Sequence, residues 1–153
     1  DGTLLSAAQT YAEELGIAHR CLFVGKSRSV GYWLSKMDAL GLTSRLEGLA
    51  NVLIEAQLSG IPVISPPAGG ASEAFIPDQT GFLLGSTEQP QLAQFLGHFL
   101  TLATNTTQRK AMGETAAAFA SEAFAMGSIL PKTLQLLSGA PAPEAFYSAA
   151  VRA

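Results

Sequence analysis

The feature that most constrains this chain is a continuous unit over residues 39–60, in which an apolar run, a glycine turn and a helix-period segment follow one another. Ala39-Leu40-Gly41-Leu42 is long enough for a buried strand, and Gly48 offers a backbone that turns sharply and admits a ligand closely. The helix starts near Ala50. Its apolar positions Val52, Leu53, Ala56 and Leu58 leave one face for packing, and Ser59-Gly60 followed by Pro62 supply a stop signal. A helix start just beyond the C-terminal end of a parallel strand gathers unpaired N–H groups and partial positive charge, which suits a phosphate or diphosphate.

A carboxylate stands on each side of that helix start, Glu47 in the turn and Glu55 within the helix. Eight residues of helix span about 12 Å, and a turn shortens that somewhat. A nucleoside diphosphate sugar holds its sugar and its ribose about that far apart. The spacing therefore fits Glu47 at sugar hydroxyls, the helix start at the diphosphate and Glu55 at the ribose diol, with hydroxyls donating to ionised carboxylate at both ends. The other reading needs no ligand: a first-turn acid stabilises a helix by itself, and Glu55 in mid-helix is then an exposed polar residue.

The rest of the chain repeats the alternation of strand and helix. Residues 3–16 have Leu4, Ala8, Tyr11, Ala12 and Leu15 at helical spacing, and Cys21-Leu22-Phe23-Val24 reads as a buried strand. Residues 29–37 form a short helix with Val30, Trp33 and Leu34 on one face, Trp33 being assigned to the core. Ile61-Pro62-Val63-Ile64-Ser65 and Gly81-Phe82-Leu83-Leu84 are further strands, with one or two helical turns over residues 71–76 and a surface turn at 77–80 between them. Pro66-Pro67-Ala68-Gly69-Gly70 is then a loop on the ligand side, whose paired glycines permit close backbone approach to a sugar or phosphate; a plain proline-glycine turn is the alternative. Residues 91–104, 107–124 and 129–137 have helical period, and 139–153 read as a linker and a short Ala-rich tail. The whole is an α/β, Rossmann-like parallel sheet flanked by helices, one partial domain over residues 1–138.

Several function classes lose their support. The formal net charge is −3 and Lys and Arg are scattered singly, so no basic stripe exists to neutralise a nucleic-acid backbone. Cys21 is the only cysteine, which removes an internal disulfide or a Cys-built metal site and suits a reducing cytoplasm. His19 and His98 read as structural or solvated, and no metal site is expected. No run reaches the ~18 apolar residues of a membrane span. Dinucleotide, P-loop and serine-hydrolase glycine motifs are absent from the sequence.

Taken together, Ser44-Arg45-Leu46-Glu47-Gly48-Leu49, Asn51-Val52-Leu53-Ile54-Glu55-Ala56, Gly60-Ile61-Pro62-Val63-Ile64, Gly69-Gly70, Glu73 and Thr80-Gly81-Phe82-Leu83-Leu84 resemble the donor-binding half of retaining, GT-B-fold glycosyltransferases of the group 1 (GT4) type. The likeness covers roughly residues 1–103. It is carried by the ordered set of landmarks and not by the glutamate pair alone. One departure is Ala50, where the family often has proline.

The resemblance implies transfer of a hexosyl unit from a UDP- or GDP-sugar to a glycan, lipid or small-molecule acceptor, with no cofactor beyond that donor. It assigns Glu47 to the catalytic step and Gly48, Leu49, Glu55, Ser44, Arg45, Asn51, Gly69 and Gly70 to the donor, with the nucleotide base beside Gly25 and Lys26. By themselves Lys26 and Arg28 read as solvated loop charges. It also implies a cytoplasmic protein, with peripheral membrane association left open. In that family Asp1-Gly2 closes an earlier strand and a basic pair lies in a loop upstream of it. At 153 residues with 48% hydrophobic content the chain is then a piece of an enzyme, inactive alone, whose mean hydropathy of +0.26 reflects apolar surface that meets further chain. A non-catalytic nucleotide-sugar or partner-binding module, or an epimerase or phosphorylase of the same fold, is the alternative.

Overall fold

The computed structural model describes residues 2–87 and 91–138, which fall into two units, Asp1–Tyr32 and Trp33–Ala153. The linker and tail expected over 139–153 lie outside the described residues.

The first unit holds helix α1 (Leu5–Glu14) and a 3-10 turn at Ala18–Arg20. Gly16, at φ 69°, turns the chain out of α1, its N–H donating to Glu13 O at 2.8 Å. Cys21 has strand-like backbone, φ −106° and ψ 128°. Yet residues 21–24, expected as a buried strand, join no ladder among the described residues, and all four side chains are exposed. An apolar run becomes a strand only where a neighbour exchanges backbone hydrogen bonds with it, and none does so here. Ala12 is the one buried residue over 2–32. Helix α2 (Val30–Leu34) is a single turn that spans the boundary between the units. It buries Leu34 and leaves Trp33 half-buried, so the core position expected for Trp33 falls to its neighbour.

The second unit is built on a three-stranded parallel sheet in the order β1 (Leu40–Gly41), β2 (Val63–Ser65), β3 (Gly81–Leu83). Leu40 pairs with Val63, and Val63 with Gly81. The order follows the chain, as expected when each strand returns through a helix. Helix α3 (Asn51–Leu58) links β1 to β2, and a 3-10 segment, Gly69–Glu73, links β2 to β3.

Successive residues of a strand point to opposite faces, and β2 buries both. Val63 packs with Leu53 and Ala56 of α3 and with Ala68, Ala71, Ala74 and Phe75. Ile64 packs on the other face with Phe82, Leu84, Leu102 of α4 (Leu92–Thr104) and Met112 of α5 (Thr106–Ala123). His98 takes the structural part expected of it, stacking on Phe82 with ring centroids 4.2 Å apart.

Gly113 lets α5 approach the turn after α3, because a Cβ there would strike Gly60 O. Arg109 pins the start of α5, donating to Leu102 O at 2.8 Å and pairing with Asp38 at 3.1 Å. Helix α6 (Met126–Leu137) begins three residues before the expected start at 129 and contains Pro131.

On α3 the buried face is Leu53, Ala56 and Gln57, whereas Leu58, expected to pack, is half exposed. Gln57 is fully buried because its amide nitrogen donates to Leu53 O at 3.1 Å and Ala74 O at 2.7 Å. The bond to Ala74 O joins α3 to the end of the 3-10 segment, and the Gln57 amide oxygen is buried with no hydrogen-bond partner among the described residues.

Candidate functional site

Parallel strands deliver their following loops to one edge of the sheet, which is the edge where ligands bind in open α/β folds. Here the loop after β1 carries Ser44, Arg45, Glu47, Gly48 and Leu49, and the loop after β2 carries Gly69 and Gly70. A cavity of about 360 Å³ opens at this edge. Thr43, Pro66 and Leu84, each just past a strand, line it together with Ser44, Arg45 and Phe95. Of the expected site residues, Ser44 and Arg45 therefore face a pre-formed hollow. Pro66 falls in the loop expected on the ligand side, whereas the lining past β3 was missed in the sequence, although its place after a parallel strand was the available signal.

Glu47 is half-buried and lies outside α3, whose N-cap is Ala50. The first turn of α3 holds no acidic residue, and no side chain caps it. The ligand-free reading of Glu47 as a first-turn acid thus loses its geometric basis, and the helix start keeps N–H groups that no side chain accepts from. Asn51 opens the helix and is exposed; Leu49, before it, is exposed as well. Glu55 is exposed in mid-helix, two residues before the buried Gln57.

The glycines divide by what each is for. Gly69, at φ 57°, has a backbone conformation that L side chains rarely adopt, and a Cβ on it would overlap Glu47 O. A Cβ on Gly70 would lie 2.8 Å from Gly48 O, and the Gly70 N–H donates to that same oxygen at 3.0 Å. The close backbone approach that the paired glycines permit is therefore to Glu47 and Gly48. Gly48 is different: its φ is not left-handed, and nothing lies within 4 Å of the position its Cβ would take. Neither a sharp turn nor a neighbour demands glycine there, and the space above it is open. Gly25, at φ 65°, and the exposed Lys26 belong to the first unit.

Residues 1–119 match the family described as glycosyl transferases, group 1. The chain belongs to the group 1 glycosyltransferases. It is 43% identical over 141 residues to the Vi polysaccharide biosynthesis protein VipC/TviE of Salmonella typhi, a match covering 92% of this chain and 24% of that protein. It is 26% identical over 108 residues to the GDP-mannose-dependent alpha-(1-6)-phosphatidylinositol monomannoside mannosyltransferase of Mycolicibacterium smegmatis, covering 65% of this chain and 28% of that one. The crystal structure of Anabaena Alr3699/HepE in complex with UDP superposes with a TM-score of 0.75 at 27% identity, over 88% of this chain and 36% of that one. The same Anabaena protein was also crystallised with UDP-glucose. This group 1 chain spans about a quarter of the length of the curated relatives it matches. Its parallel sheet flanked by helices is the Rossmann-like arrangement expected for the donor half of a GT-B fold.

Among the described residues no helix is long and apolar enough to cross a membrane.

Proposed function

We propose that this chain is the donor-binding part of a glycosyltransferase that moves a glycosyl unit from a nucleoside diphosphate sugar to a hydroxyl acceptor with retention of configuration. One observation carries this reading. Glu47 and Glu55 bracket an uncapped helix start at the ligand edge of the sheet, in a chain of this family. The first-turn amides of α3 and the open space over Gly48 supply donors and room for the diphosphate. Glu55 accepts from the ribose diol, and Glu47 from hydroxyls of the transferred sugar. Leu49 and Asn51, which flank the N-cap of α3, and Ser44 and Arg45, which line the cavity at the same edge of the sheet, are assigned to the donor. UDP fits as the nucleotide because Anabaena HepE holds UDP and UDP-glucose, and GDP remains in the test panel because of the GDP-mannose-dependent relative.

In the step itself the bond from the anomeric carbon to the diphosphate oxygen breaks, and its electron pair leaves with the diphosphate. The acceptor oxygen bonds to the anomeric carbon on the same face, and its proton passes to the departing diphosphate oxygen. Positive charge grows on the sugar as that bond stretches, so an anionic Glu47 beside it interacts more strongly in the transition state than in the ground state. The reading places the protein in the cytoplasm, where an exposed thiol such as Cys21 stays reduced.

The test uses the protein at its full natural length, with UDP and GDP titrated by calorimetry and a panel of UDP- and GDP-sugars followed for release of diphosphate. Glu55→Gln keeps size while weakening a charge-assisted bond, and nucleotide binding falls about tenfold or more. Glu47→Gln leaves nucleotide binding unchanged and lowers kcat, since free nucleotide lacks the group it contacts. Parent-like binding and turnover in both variants would return the two carboxylates to solvated acids, and a parent that binds nucleotide but transfers nothing would move the assignment to a non-catalytic module.

A further inference from the structure

We propose that Gly69 and Gly70 are positioning residues for Glu47: the 3-10 segment they open braces the Glu47-Gly48 turn and sets where the carboxylate starts. The inference rests on the role given to Glu47 above, but its geometry stands apart from that role. Gly69 approaches the backbone of Glu47, and Gly70 approaches Gly48 O and Leu49 Cα, at separations that admit no Cβ on either glycine. The Gly70 N–H donates to Gly48 O, so the contact is attractive as well as tight.

What decides the consequence is which side yields when a methyl group is forced between them. The segment from Ala68 to Ala74 is anchored: Ala68, Ala71 and Ala74 are fully buried in the core, and Ala74 O accepts from the buried Gln57. The Glu47-Gly48 turn is held less: over residues 44–50 Ala50 alone is buried in that core. Gly48 and Leu49 are exposed, and no side chain caps the helix start behind them. A close-packed core gives less than an exposed turn, so an added Cβ moves Glu47 and leaves the 3-10 segment in place. The paired glycines thereby act on the sugar end of the site through protein backbone. Glu55 stands on regular helix beyond the braced turn and is not displaced.

The experiment compares Gly69→Ala, Gly69→Asn, Gly70→Ala and the control Gly97→Ala in the protein at its full natural length. Gly97 lies in α4 with nothing within 4 Å of its Cβ position. Three quantities are read: UDP and GDP affinity by calorimetry, kcat with the sugar nucleotide the parent turns over, and deuterium uptake over residues 44–50. The expected result for Gly70→Ala is a loss in kcat of about tenfold or more with nucleotide affinity held within about twofold, because only a transition-state contact is disturbed. Uptake over 44–50 rises in the same variant. Gly69→Asn tolerates the left-handed φ yet carries a Cβ, so it falls with Gly69→Ala. Recovery in Gly69→Asn would assign the loss to backbone conformation and overturn the brace. If the Gly69 variants do not fold, Gly70→Ala, at an ordinary φ, decides the matter alone. Parent-like kcat and uptake in Gly70→Ala would overturn the proposal. A parent that turns over no nucleotide sugar removes the assigned function, and with it the catalytic consequence, while uptake still tells whether Gly69 and Gly70 hold the turn.

Discussion

Residues 21–24 and 39–42 look alike as sequence: each is a four-residue apolar run that leads through a glycine-bearing loop into a helix. In the fold they part. Leu40 and Leu42 donate to Pro62 O and Ile64 O at 3.0 and 2.8 Å, so the second run is held in a sheet with a core on each face. The first run has no ladder among the described residues, and Leu22 is 75% exposed. Hydropathy reports what a segment gains by leaving water, but a strand also needs a partner of matching register, which its own residues do not encode.

The sharpest way to break this contrast is a large-to-small substitution in the paired region. Leu53 is fully buried against Val63, and Leu53→Ala is expected to cost about 2–5 kcal/mol in denaturant unfolding. A cost near zero would mean that the core around β2 is not formed in solution.

Helix ends provide a second, smaller contrast. Asn105 caps α5 by accepting from Gln108 N at 2.9 Å, whereas Leu4 at the start of α1 makes no such bond. Asn105→Ala should cost about 1 kcal/mol, and Leu4→Asp should slow amide exchange through α1 by supplying the missing acceptor. Unchanged exchange in Leu4→Asp would show that α1 is limited by something other than its cap.

The smallest effect is expected in the unpaired run. Leu22→Ser should change stability by no more than ~0.5 kcal/mol, with the amides of residues 21–24 exchanging faster than those of Leu40 and Leu42. Equal protection of the two runs would erase the distinction between them.

Much of the second unit was legible in the chain itself, because helix periods, glycine stops and the strand-turn-helix order are local properties. The strand-turn-helix order over residues 39–60 appears as read, with α3 starting one residue past Ala50, while β1 shortens to Leu40–Gly41, Gly48 has no left-handed φ and Leu58 is half exposed. The placing of the two glutamates was only partly local: Glu55 stands on regular helix, whereas Glu47 lies in the non-helical turn before Ala50. Gln57 was not read as buried, although a lone amide on the face of Leu53 and Ala56 was the available sign.

Tertiary structure alone decided three things. It determined that residues 21–24 join no ladder among the described residues, that a 3-10 segment begins at Gly69, and that the paired glycines press on Glu47 and Gly48 while Gly48 itself stays open. Each depends on atoms distant in sequence meeting at ångström range, where register and steric exclusion decide the outcome and local propensity carries no information.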